Sequence, residues 1–163
     1  MIADLKRQGL HISLWQLPYF VPNNRLFPEI LEKGLYVKDG KGNLPYEDAV
    51  LDFSNPETVR WYQDNLAAVL RMGVGAIKAD FGESAPQTGI YASGRSGFYE
   101  HNLYPLRYNK AVADITYRTS GEHIVWRAAR GPAASAIRCV GAATPQPWTS
   151  VWRQRCAAAF HWV

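Results

Sequence analysis

Twice in this chain a short amphipathic segment stops at a glycine and an apolar strand begins almost at once. Residues 2–9 set Ile2 and Leu5 among charges at helical spacing and end at Gly9, after which "LHISLWQ" alternates. Farther on, "PETVRWYQDNLAAVLRMG" puts Val59, Tyr62, Leu66, Val69 and Leu70 on one face and closes at Gly73. Ser54 and Asn55 stand before it as capping candidates, Pro56 opens it and Glu57 lies in its first turn. "VGAIKAD" then reads as a buried strand, bounded and rich in small or branched residues. Strands that alternate with helices pair in parallel through right-handed crossovers.

Reading on in the same way, "LPYFVPNNRLF" is a loop, "PEILEKG" a short helix with Gly34 past its end, and "GLYVKDGKGNLPY" an excursion with turn signals and a possible small hairpin. Residues 49–53 read as a strand, residues 101–119 as a helix, and "EHIVW" as the last strand. The order of four helices alternating with four strands defines an α/β fold, either a (β/α)8 TIM barrel or a doubly wound sheet. A Gly-x-Gly-x-x-Gly after a strand and a Walker-type Gly-Lys-Ser/Thr are both missing, so nucleotide binding has no specific support.

The 163 residues can bury one core, and one domain is the ceiling. Apolar stretches are interrupted well before the roughly 18 residues of a membrane span, and the first residues do not read as a secretion signal, so membrane association is not expected and localisation stays open. The net charge of +4 sits wholly in the tail: residues 1–126 hold 13 Lys and Arg against 14 Asp and Glu. From Arg127 onward there are five Arg and no acid, a distribution that argues against a nucleic-acid surface. Cys139 and Cys156 specify neither a zinc site nor a disulfide framework, and His11 and His101 lack ligand spacing, so no metal or cofactor is expected.

In either α/β architecture ligands bind at the carboxyl ends of the strands, where Asp80 falls. Lys78, two residues earlier, points to the same face of the strand and keeps a neighbouring carboxylate ionised, which suits a nucleophile or a metal ligand better than a general acid. Lys78 would also donate hydrogen bonds to a polar substrate, and Glu83 would support the site or be solvated. A strand-end salt bridge on the surface is the plainer alternative for this trio. Asp52 reads as serving the start of the following helix, and Trp15 as a sugar-stacking platform or a core aromatic.

"GAIKADFGES" resembles the nucleophile segment of glycoside hydrolase family 31, in its α-xylosidase-like branch with Lys-x-Asp-Phe-Gly-Glu. "LHISLWQLPYF", "LDFSNPETVRWY" and "HNLYPLRYNKAVADIT" resemble the surrounding barrel segments, so the likeness covers about residues 1–126. The resemblance implies a partial (β/α)8 barrel with parallel strands and Asp80 as the nucleophile of a retaining α-glycosidase. It also implies Lys78 on sugar hydroxyls, Trp15 and Phe81 walling the subsite, Glu83 in support, and an oligosaccharide or glycoside substrate. Lys78 and Phe81-Gly82 favour terminal α-xylosides. The alternatives are an α-glucosidase or sulfoquinovosidase of the same family, or a non-catalytic carbohydrate-binding half-domain.

Double displacement needs a second carboxyl about 5–5.5 Å from the first. The family carries it in a Trp-Gly-Gly-Asp or Trp-Ser-Gly-Asp stretch after Trp-Ala-Arg-Ser, where this chain has "RAARGPAASAIRCVGAATPQPW". Regrouping the possible codons by one base lets residues 126–131 encode Trp-Ala-Arg-Ser-Ala-Trp and residues 140–145 encode Trp-Gly-Gly-Asp-Ala, as loss of one G at Trp126 would produce. The expectation is thus two segments, 1–126 as a partial catalytic barrel and 127–163 as an out-of-frame tail, disordered or poorly packed, with Trp148, Trp152, Phe160 and Trp162 an aggregation liability. The start resembles the middle of a barrel helix. A truncated product is therefore expected, with half a barrel, open strand edges and no activity alone.

Overall fold

The computed structural model describes residues 1–121 together with the strand backbone of residues 125–127 and 159–160. In chain order the elements are α1 (Ile2–Arg7), β1 (Ser13–Gln16), β2 (Tyr19–Phe20), α2 (Phe27–Glu32), β3 (Ala49–Val50), α3 (Pro56–Arg71), β4 (Ala76–Ala79), α4 (Gly97–Ser120), β5 (Val125–Arg127) and β6 (Ala159–Phe160). Four strands form one sheet in the order β5, β4, β1, β6, and every pairing in it is parallel. Helix α3 carries the crossover from β1 to β4 and α4 the crossover from β4 to β5, which is the repeating unit of a (β/α) barrel. Among the described residues no closed barrel is formed.

Residues 49–53, read above as a barrel strand, are not one. Only Ala49–Val50 is strand, and it pairs antiparallel with Tyr19–Phe20 in a separate two-stranded sheet. Residues 17–55 are thus one long excursion from the carboxyl end of β1. Its apolar text is explained by its packing: Leu35, Val37, Ala49 and Leu51 are fully buried within it. Backbone bonds Val37 N–H to Val50 O (2.8 Å) and Asp52 N–H to Leu35 O (2.9 Å) close it on itself. The proposed hairpin is met in part. Asp39 Oδ1 accepts from Lys41 and Asn43 N–H to make the turn, but Tyr36 and Lys38 bridge to Leu51 and Ile90 rather than to each other's arm.

The cap of α3 is Asn55, whose side chain accepts from Glu57 N–H. Asp52 has a different task from the helix start assigned above. Its Oδ1 accepts from Ser54 N–H and Oγ, and its Oδ2 accepts from Ala92 N–H at 2.7 Å, fastening residue 92 to the excursion. Helix α4 begins at Gly97 rather than near residue 101, because Ser96 caps it through Tyr99 N–H; Pro105 sits inside it.

The core lies between the sheet and the α3–α4 pair. Leu14 and Ile77, opposite one another in β1 and β4, turn to the helices. Phe53 is ringed edge-on or tilted by Tyr62, Tyr104 and Tyr108, with centroids 5.2 to 5.8 Å away. Buried phenols need partners. Tyr104 donates to Leu51 O (2.8 Å) and Tyr108 to Gln16 O (3.0 Å), so α4 grips both the excursion and the end of β1.

The tail reading falls mostly on residues outside the described ones. Its described pieces are Arg127, which ends β5 opposite Ala79, and Ala159–Phe160, which pairs in parallel with Ser13 and Leu14, so the outer side of β1 is occupied there. Among the described residues no helix is long and apolar enough to cross a membrane.

Candidate functional site

The parallel register puts Trp15 opposite Lys78 and Gln16 opposite Ala79, and the ladder continues one step farther, Asp80 N–H donating to Gln16 O at 2.9 Å. Trp15, Lys78 and Asp80 therefore emerge on one face at the carboxyl end of the sheet, as the period of two requires. Trp15 Nε1 donates to Asp80 Oδ2 at 2.7 Å, and Lys78 Nζ lies 2.9 Å from the same oxygen. Among the described residues Oδ1 accepts from the N–H of Phe81 alone, at 3.1 Å.

These contacts set the charge state. Partial burial pushes the Asp80 carboxyl up, but hydrogen bonds from Lys78, Trp15 and Phe81 N–H, with the Lys78 charge, more than offset it and hold the group below the ordinary carboxylate value. Because the folded value is depressed, the stability tied to this ion is complete above the unfolded carboxylate range, about pH 4, and is lost as pH falls through the folded value. Lys78→Met is expected to raise the Asp80 titration midpoint, read from its side-chain carbonyl carbon by NMR. An unmoved midpoint would contradict the contact.

Past the strand the backbone turns sharply. Phe81 sits at φ 63° and Gly82 at φ 120°. The first is costly for a residue with a Cβ and the second is closed to all but glycine. Gly82 also lies against Pro105 of α4, where a Cβ would meet the ring at 3.5 Å. Gly82→Ala is therefore expected to cost about 1–2 kcal/mol through backbone strain, seen as a lower urea midpoint. The strained turn is held from the excursion: Tyr19 Oη accepts from Gly82 N–H (3.0 Å) and Ser84 N–H (2.9 Å). Burial keeps the Tyr19 phenol above its ordinary value even though the Ser84 and Gly82 N–H groups act the other way, so the hydroxyl is neutral.

Of the residues expected at the site, Asp80, Lys78, Trp15 and Phe81 are brought together. Trp15 enters as an indole donor to the carboxylate, and its ring meets Phe81 edge-on at 6.0 Å. Phe81 is 39% exposed and forms a wall with Trp15 and Tyr19. Glu83 stands apart from this group, exposed beside Tyr46, Ser84, Gln87 and His101 at a shallow groove, and makes no hydrogen bond or ion pair among the described residues. His101 is structural, its Nδ1 2.6 Å from Ala85 O. Tyr19 and Tyr108 are the residues that sequence reasoning missed. No group of three or more His, Cys, Asp or Glu that could hold a metal occurs among the described residues.

Comparison with known proteins identifies the family. The family profile for the glycosyl hydrolases family 31 TIM-barrel domain matches residues 1–149, running past the composition break at Trp126. An α-xylosidase of Lactiplantibacillus pentosus is 31% identical over 153 residues, covering 88% of this chain and 20% of that protein. An α-xylosidase of Emericella nidulans is 34% identical over 128 residues, covering 74% of this chain and 16% of its own length. Among solved structures, a family 31 sulfoquinovosidase from E. rectale, in complex with an aza-sugar inhibitor, superposes with a TM-score of 0.77 at 28% identity over 85% of this chain and 22% of that one. The chain thus spans about a fifth or less of the length of the curated relatives named here. A parallel sheet with its polar constellation at the carboxyl end, and a profile match over most of the residues, place this chain in glycosyl hydrolase family 31, as part of that family's TIM-barrel domain.

Proposed function

We propose that this chain is the nucleophile-bearing part of a retaining α-glycosidase that releases terminal α-xylosyl groups. The observation that carries the proposal is the unequal treatment of the two Asp80 oxygens. Among the described residues Oδ2 takes both the indole and the ammonium donor, whereas Oδ1 has one amide donor and keeps a lone pair for attack. In the proposed step Oδ1 bonds to the anomeric carbon, the C–O bond to the aglycone breaks, and a second carboxyl group protonates the departing oxygen. Among the described residues no second carboxylate is hydrogen-bonded into the site. The choice of xylose rests on Lys78 with Phe81-Gly82 and on the two α-xylosidases at 31% and 34% identity.

The test avoids the need for an acid. A 5-fluoro-α-xylosyl fluoride carries a leaving group that departs unprotonated as fluoride, and its ring fluorine slows hydrolysis of the adduct. Exposure of the folded chain is expected to add one fluoroxylosyl mass to the peptide containing Asp80. Absence of the adduct, or an adduct elsewhere, would overturn the nucleophile assignment. A sulfoquinovosidase of Escherichia coli is 26% identical over 116 residues, and the E. rectale structure belongs to the same class, so a sulfoquinovosyl fluoride is the natural competitor. Faster labelling by that reagent would displace xylose as the substrate.

The residues after Trp126 are proposed to be read out of frame. Their complete lack of acids and the regrouped codons support this, while the profile match to residue 149 weighs against it. The coding DNA tests it: one base added at Trp126 should restore Trp-Ala-Arg-Ser and the missing Asp, and an open frame with no such text in register would end the idea.

A further inference from the structure

We infer that Tyr19 is a positioning residue for Asp80, its hydroxyl clamping the turn that follows the carboxylate so that the Phe81 N–H stays on Oδ1. This rests on the reading of Asp80 as nucleophile. The phenol oxygen has two lone pairs, and the Gly82 and Ser84 N–H groups, at 3.0 and 2.9 Å, occupy both. Between those anchors and Asp80 lies Phe81, at φ 63°, a conformation that a bulky residue leaves unless its neighbours hold it. The same aromatic ring packs on Phe81 at 6.2 Å, Phe81 packs on Trp15 at 6.0 Å, and Trp15 Nε1 returns to Asp80 Oδ2. Both carboxylate oxygens are therefore tied to one tyrosine, Oδ1 through the main chain of Phe81 and Gly82 and Oδ2 through the Phe81 and Trp15 rings.

Tyr19 reaches the turn from β2, whose pairing with β3 fixes it: Tyr19 lies opposite Val50 and Phe20 opposite Ala49. Its position is thus set by the excursion and not by the barrel sheet. The clamp gives the excursion a role in the chemistry although, among the described residues, no residue of it, Tyr19 included, is hydrogen-bonded to the carboxylate. Removing the oxygen alone should leave the ring packing and free the turn. Phe81 then relaxes toward negative φ, its N–H leaves Oδ1, and the attacking oxygen loses its orientation.

Tyr19→Phe in the full chain is the test, with three measurements on the same sample. The Gly82 and Ser84 amides should exchange with solvent faster, the Asp80 carboxyl should titrate at a higher pH, and labelling by 5-fluoro-α-xylosyl fluoride should slow by roughly tenfold to a hundredfold, the scale of a misplaced reacting atom. Unchanged amide exchange would show that the two bonds are not made, and faster exchange with an unmoved Asp80 midpoint would reduce Tyr19 to a loop anchor; either overturns the inference. If wild type is not labelled but the Asp80 midpoint still rises in Tyr19→Phe, the nucleophile reading fails while the positioning stands. A second variant guards against a general loss of structure. In a Phe81→Gly background the turn needs no clamp, because glycine adopts positive φ freely, so adding Tyr19→Phe should shift the Asp80 midpoint less than it does in wild type. An equal shift in both backgrounds would count against the strain-holding role.

Discussion

Asp80→Asn is expected to abolish covalent labelling by the fluoroxylosyl reagent, a fall on the order of 10⁶ if this residue is the nucleophile, while the sheet stays folded. Asparagine has the right shape but one acceptor oxygen and one donor nitrogen. The two donors Trp15 Nε1 and Lys78 Nζ converge on Oδ2, so they would take the amide oxygen there. That leaves the amide nitrogen at the Oδ1 position facing the Phe81 N–H, donor against donor, at what was a 3.1 Å hydrogen bond. The variant therefore loses the nucleophile and also unsettles the turn, by about 1 kcal/mol for one unmade hydrogen bond. Intact-mass spectrometry reads the first effect and urea denaturation the second. Labelling at the wild-type rate in Asp80→Asn would remove this residue from the chemistry.

The largest stability effect is expected away from the site, at Arg107→Met. Glu100, 1% exposed on α4, receives Arg107 Nε at 2.8 Å and a second guanidinium nitrogen at 2.9 Å, a two-point grip on a buried carboxylate. Removing the cation strands the anion, which typically costs about 3–5 kcal/mol. Arg107 is itself 32% exposed, so water screens the pair and the lower end, about 3 kcal/mol, is the expectation. That is a large share of the ordinary stability of a domain, about 5–15 kcal/mol. Glu100→Gln/Arg107→Met should recover most of the loss, because the double variant buries no charge. Equal urea midpoints for the single and double variants would mean that the pair is not what stabilises α4.

The parts legible from sequence are those that repeat a period long enough to count. Helices α1 and α3, each stopping at a glycine, and strands β1 and β4 were readable because apolar positions recur across a whole face. Lys78 and Asp80 were readable as a pair for the same reason, since two residues along a strand return to one side. Strands β2 and β3, two residues each, are shorter than any period, and the apolar text of residues 49–53 looked like a barrel strand because the excursion buries its own small core. Residues 97–100 were missed as helix because Gly97 and Pro105 obscure a start that Ser96 caps. The indole bond from Trp15 needed the register between β1 and β4, which sequence separation hides. Tyr19 could not be found at all, because its partners are main-chain N–H groups that every residue but proline carries.

The ladder bond from Asp80 N–H to Gln16 O has a consequence for motion. Gln16 O also accepts the Tyr108 hydroxyl, so the main chain at Asp80 is fastened to the sheet and, through the sheet, to the buried aromatic cluster. The next amide, Phe81, is bonded among the described residues to the carboxylate beside it alone. In hydrogen exchange the Asp80 amide should be protected like the interior of β4, opening only with the sheet, while the Phe81 amide should follow the carboxylate and the turn. A border between a slowly and a faster exchanging amide thus runs between two adjacent residues, with the Asp80 side chain projecting from the slow side toward the faster one.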